Sequence, residues 1–178
     1  MYTASMQPLK IYDYLTKARE RVFDAVRGLS PELYQREFSI GLKTFGTTLT
    51  HMMIVEWAYI ERIQRHDLPP YETWPIQDEK PPAFGVIETT WREQAPRTRA
   101  VVQAAHASGS WEREFDYTSK SREGKLTRIT VSPADIFTQM TLHEVHHRAQ
   151  VMAMLRECGV VLQDLDFGYM MYKRQVVE

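Results

Sequence analysis

His143-Glu144-Val145-His146-His147 decides how this chain is read, because three of its six histidines fall within these five residues. Ile136, Met140, Val151 and Met154 recur with His143 and His147 at helical spacing, so the stretch reads as part of a long amphipathic helix. Residues four apart stack on one helical face, one turn above the other. That is the spacing two imidazoles need to hold one metal ion. The stretch also fits H-E-x-x-H, a pattern of zinc proteases.

The flanks argue against the protease reading. A metzincin needs a glycine three residues after the second histidine and a histidine three beyond that, but Gln150 and Ala153 stand there. A downstream glutamate is the other usual third ligand, yet beyond Glu157 only Glu178 remains. Glu157 lies on the same helix, roughly 15 Å along the axis from His147. His51, on another helix, is the natural third ligand. His146 is turned about 100° from His147 and is poorly placed to join it. His66 and His106 fall at helix ends or in loops and read as solvated.

Working outward, Ser132-Pro133-Ala134-Asp135 opens this helix with an N-cap, a proline at the first helical position and an acid in the first turn. Gly159 closes it. Pro8 to Leu29 reads as a first helix, with Leu9, Tyr12, Leu15, Arg19, Val22 and Val26 on its stripe. Residues 30–46 are a connection too apolar to be loose. Thr47 to Gln64 reads as a second helix and Phe84 to Ala107 as a third, with a kink or break expected at Pro96. Residues 66–83 carry Pro69, Pro70, Pro75, Pro81 and Pro82 and form a long loop, of a kind that often covers a site. Alternation over Trp111–Tyr117 and Lys125–Val131 predicts a β-hairpin around Ser121-Arg122-Glu123-Gly124. Residues 163–174 add a short helix. The expected fold is mainly α: an antiparallel four-helix bundle with a small inserted β-hairpin, as one domain over 1–178. Bundles build metal sites from side chains on facing helices.

Bulk properties narrow the function classes. A net charge of −1 gives no chain-wide basic field for nucleic acid. No apolar run is long enough to span a membrane. Cys158 is the single cysteine, so no internal disulfide forms and a reducing, cytoplasmic compartment is expected. It reads as a small core residue.

The segment Thr141-Leu142-His143-Glu144-Val145-His146-His147-Arg148-Ala149-Gln150-Val151, followed by Leu155-Arg156 and Gly159, resembles the last bundle helix of the DinB-like (damage-inducible, DinB/YfiT) family. Leu49-Thr50-His51-Met52-Met53-Ile54-Val55-Glu56-Trp57 is similar to its second helix, and Gln163-Asp164-Leu165-Asp166-Phe167 to its aspartate-bearing tail. Ala149 stands where a glycine is common and Leu142 where a polar residue is common. The resemblance implies a four-helix bundle in which His51, His143 and His147 bind a divalent metal, often nickel or zinc. It also implies a homodimer. Some relatives act as metal-dependent thiol S-transferases or isomerases using low-molecular-weight thiols. The resulting expectation is a metal-dependent enzyme acting on a small-molecule substrate. Its alternatives are a non-catalytic metal-binding stress-response module and a metal-free bundle with structural histidines. Glu144 and Glu56 are the nearest candidates for proton transfer. The alternatives are a bond to a ligand histidine or a solvent-facing position for Glu144, and a carboxylate supporting a ligand or a surface salt bridge for Glu56. Tyr12 or Tyr59 is a candidate pocket wall, with aromatic core packing the favoured alternative.

Overall fold

The computed structural model describes residues 7–120 and 124–176. Among them lie six α-helices and two strands. Helix α1 spans Pro8–Arg27, α2 Pro31–Gln35, α3 Phe45–Ile63 and α4 Phe84–Ala107. The strands β1 (Phe115–Lys120) and β2 (Leu126–Val131) precede α5 (Pro133–Glu157) and α6 (Phe167–Met171). The protein is thus mainly helical, with a small antiparallel sheet. The four long helices pack pairwise: α3 lies against α4 and α5, and α1 lies against α4 and α5.

Local chemistry sets the boundaries. Helix α1 stops at Arg27, two residues before the expected Leu29. The connection that follows folds in part as α2, with Pro31 at its first position and the Ser30 hydroxyl accepting from the Leu33 amide. Helix α3 begins at Phe45, two residues before the expected Thr47, because Thr44 caps it by accepting from the Thr47 amide at 2.9 Å. Its first turn buries Phe45 against Phe38. At α5 the anticipated cap is complete: Ser132 accepts from the Asp135 amide while the Asp135 carboxylate accepts from the Ser132 amide at 2.8 Å. Gly159, at φ +78°, carries the chain out of the helix in the left-handed region.

Three expectations need correction. Helix α4 runs through Pro96 as one element, so the helix does not break there. Pro96 is exposed, so the carbonyl that loses its amide partner four residues earlier faces water rather than core. The first strand is shifted: β1 runs Phe115–Lys120, paired from Phe115 opposite Val131 to Lys120 opposite Leu126. Trp111 lies outside the strand, buried beside Phe137, and its carbonyl accepts from the Ala134 amide. The aromatic read as strand alternation instead anchors the start of α5. The tail helix is confined to Phe167–Met171. In the hairpin turn, Ser121, Arg122 and Glu123 lie outside the described residues.

Two apolar clusters fill the interior. One gathers Val22, Phe23, Leu49, Met53, Ile87, Trp91, Val151 and Leu155. The other gathers Tyr12, Leu15, Ala18, Val102, Trp111, Phe137 and Met140. On α1, α4 and α5 the residues of the two clusters are separated along the chain by buried polar side chains, Arg19, Thr98 and Glu144.

Candidate metal centre

Helices α3 and α5 pack side by side and place His51 against His143 and His147. One ligating nitrogen from each ring lies within 4.8 Å of the others. His51 Nε2 stands 3.0 Å from His143 Nε2. The centroids of His51 lie 5.0 Å from those of both His143 and His147, and the latter two are 4.5 Å apart. The spacing read from the sequence therefore converges on one point.

Each ring is prepared for that point. Asp78, from the proline-rich segment, lies 2.7 Å from His51 Nδ1. An ionised carboxylate only accepts, so Nδ1 carries the proton and Nε2 of the neutral ring keeps its lone pair. The hydrogen bond from His51 holds the Asp78 carboxyl below the usual range. His147 Nδ1 pairs with Gln150 Oε1 at 2.9 Å, which again directs a free Nε2 outward. Burial, with the neighbouring histidines, pushes His143 down to about 4, and burial also lowers His147. Both rings stay neutral near pH 7, the form that ligates metal. Two nitrogens each about 2.1 Å from a shared ion stand about 3.0–3.4 Å apart. The 3.0 Å separation of His51 and His143 fits such an ion.

Directly inside lies a buried ion network. Arg19 donates to Glu56 Oε2 at 2.6 Å and, through Nη2 and Nε, to both oxygens of Glu144. Glu56, only 2 % exposed, also accepts from Tyr12, Trp91 and Thr98. Burial raises the Glu56 carboxyl, but Arg19 and these donors outweigh it and the net shift is downward. The Arg19 guanidinium lies over the Trp91 ring, 3.9 Å from its centroid. Arg148, also buried, donates to the Tyr14 hydroxyl at 2.5 Å, and that hydroxyl donates to the Leu165 carbonyl.

Several sequence assignments change here. Glu56 is in the core, so the surface salt bridge is excluded. Glu144 is buried with both oxygens accepting from Arg19, so it does not face solvent. Tyr12 takes the core-packing role, tied to Glu56 inside the bundle. His146 is exposed and bonds Gln150 Nε2 at 2.9 Å. His66 is exposed but pairs with Glu61 at 2.7 Å, and His106 rests edge-on against Trp111.

Tyr59 is a pocket wall: its ring meets His143 edge-on, centroids 6.2 Å apart. It opens onto a cavity of about 460 Å³ between α3, α5 and the hairpin. Arg62, Tyr117, Ser119, Asp135 and Gln139 are among its polar lining. Burial raises the Tyr59 hydroxyl, which stays a donor.

Asp78 and Gly41 had no role in the sequence reading. Nothing in the spacing ties a loop aspartate to a histidine 27 residues earlier; the proline-rich loop alone was the hint. Gly41, at φ +50°, sits so close to Gln150 that an added Cβ would lie 2.1 Å from its Oε1. Its missing side chain leaves the room that Gln150, the partner of His147, occupies.

A mainly helical chain with three imidazoles converging from two packed helices defines a candidate divalent-metal protein. The DinB family model matches residues 1–175, and the chain belongs to the DinB family. Among curated proteins, none matches the chain.

Proposed function

We propose that α1, α3, α4 and α5 form an antiparallel four-helix bundle, one domain over 1–178, whose His51, His143 and His147 bind a nickel or zinc ion for transfer chemistry on a small molecule. The observation that carries this reading is the convergence of three ligating nitrogens within 4.8 Å. Among the described residues no cysteine, aspartate or glutamate joins that group. Three protein ligands leave room for a substrate atom, as catalytic sites do and closed structural sites do not.

A divalent ion held there would supply Lewis acidity, lowering the pKa of a bound thiol or water and polarising an electrophile. The protein's own residues do the rest. Asp78 and Gln150 orient the His51 and His147 rings. Tyr59 sets its ring edge-on against His143, and the adjoining cavity takes the body of the substrate. Glu144 serves the bundle through Arg19 and is not assigned the proton transfer.

A thiol S-transferase using a low-molecular-weight thiol fits the absence of a usable protein thiol. Cys158, the only cysteine, sits past the end of α5, roughly 16 Å along the axis from His147. Leu142 and Val145, apolar yet exposed on α5, are the surface a homodimer would cover. The test is thiol-to-electrophile transfer by the metal-loaded protein across the common low-molecular-weight thiols. Activity lost in His143→Ala supports the reading; a loaded protein that turns over none of them leaves the alternative, a non-catalytic metal-binding module.

A further inference from the structure

The segment between α3 and α4 is not draped loosely over the helices. Trp74 donates its indole N–H to the Pro69 carbonyl at 2.9 Å, and Gln77 donates to the Tyr71 and Glu72 carbonyls. A single 3-10 turn, Tyr71–Thr73, sits between them. These bonds make the segment a self-bonded unit. It touches the helices through two side chains in particular. Trp74 meets Trp57 edge-on, with centroids 4.8 Å apart, and Asp78 meets His51.

Asp78 is itself fixed from both ends. The Tyr71 hydroxyl donates to Asp78 Oδ1, and the Asp78 amide donates back to the Tyr71 oxygen at 3.1 Å. Oδ2 is left to accept from His51 Nδ1 at 2.7 Å. Tyr71 thereby spans both anchors, because its ring also packs against Trp74, centroids 5.3 Å apart. Carboxylates on the far nitrogen of a ligating imidazole orient the ring and raise its basicity.

We propose that Asp78, held by Tyr71, is the positioning carboxylate for His51, and that this contact latches the segment 66–83 onto the bundle when the ion binds. The inference rests on the metal site proposed above. Coupling is reciprocal: whatever affinity Asp78 contributes to the ion, the ion contributes to closure of the segment. Closure in turn completes a small apolar cavity of about 120 Å³ between Trp57, Trp74, Ile76 and Met53. Metal occupancy and the shape of this second cavity are therefore linked through one hydrogen bond.

The test measures zinc affinity by competition with a chromophoric chelator, for the full-length wild type, Asp78→Ala, Asp78→Asn, Asp78→Glu and Tyr71→Phe. Protease cleavage within 66–83 is followed with and without zinc. Circular dichroism of the chelated proteins checks that each variant keeps its helices, and Asp78→Asn, close to isosteric, stands in if Asp78→Ala unfolds. Asp78→Ala is expected to weaken zinc binding about 10- to 100-fold, with Asp78→Asn and Tyr71→Phe losing less and Asp78→Glu recovering part. Zinc should slow cleavage of the segment in the wild type and much less in Asp78→Ala. Folded Asp78→Ala and Asp78→Asn with wild-type zinc affinity, or equal zinc protection in wild type and Asp78→Ala, overturn the proposal. A wild type that binds no zinc overturns the metal site itself, a distinct result.

Discussion

Arg19 shows how one residue links the core to the candidate site. It is 4 % exposed and bridges Glu56 and Glu144, the second of which follows His143 directly. Removing one partner of a buried pair strands the other charge, at about 3–5 kcal/mol. Arg19→Met should destabilise the protein by about that amount in urea unfolding, since two carboxylates lose their cation. A loss below about 1 kcal/mol, the size of an exposed pair, would contradict the network. The pH dependence follows with a definite sign. Glu56 is depressed in the folded state, so its contribution is present above the ordinary carboxylate pKa and lost as pH falls through the lower folded value. Metal-free His143 acts in the same direction. Held at about 4 when folded, it stays neutral while the unfolded chain takes up a proton near 6.5. Stability of the metal-free protein should therefore fall as pH drops from about 6.5 to about 4. His143→Gln should flatten that part of the stability curve; an unchanged slope counts against the shift.

At the scale of elements, the sequence carried most of what local chemistry decides. The α5 cap, its closing glycine and the whole of α4 were legible because a capping box, a left-handed glycine and helical periodicity are written in neighbouring residues. The helix does not break at Pro96 because the proline's cost depends on which side of the helix it occupies, and it occupies the wet side. Pro96→Ala should raise the melting temperature, by an amount worth up to about 3 kcal/mol; a lower melting temperature would show that the proline aids the fold. Trp111 misled because strand alternation and a buried anchor look alike in a short window. At the site, His143 and His147 were visible from spacing and His51 through the family resemblance. Asp78 and Gly41 were not, since their roles arise only when separate segments meet. Gly41→Ala should push Gln150 away from His147. It should weaken metal binding with little change in helix content, measured by the same chelator competition. Unaltered affinity would show that Gln150 does not govern His147.

For the whole molecule, the long helices provide a frame, and the connecting segments flank the candidate metal centre. The proline-rich segment closes one flank through Asp78, while the hairpin walls the 460 Å³ cavity beside Tyr59. Among the described residues no helix is long and apolar enough to cross a membrane. Leu142 is 61 % exposed on α5, and Leu142→Glu combined with Val145→Lys should convert a dimer to a monomer by light scattering. A wild type already monomeric at high concentration would remove the homodimer proposal.

The central claim is that His51, His143 and His147 hold one divalent ion. Elemental analysis of protein purified without a histidine tag tests it most directly, compared with His51→Ala and His143→Ala prepared alongside. The account predicts close to one nickel or zinc ion per chain in the wild type and loss of that ion in both variants. A folded wild type with no stoichiometric ion, even after incubation with both metals, would contradict it.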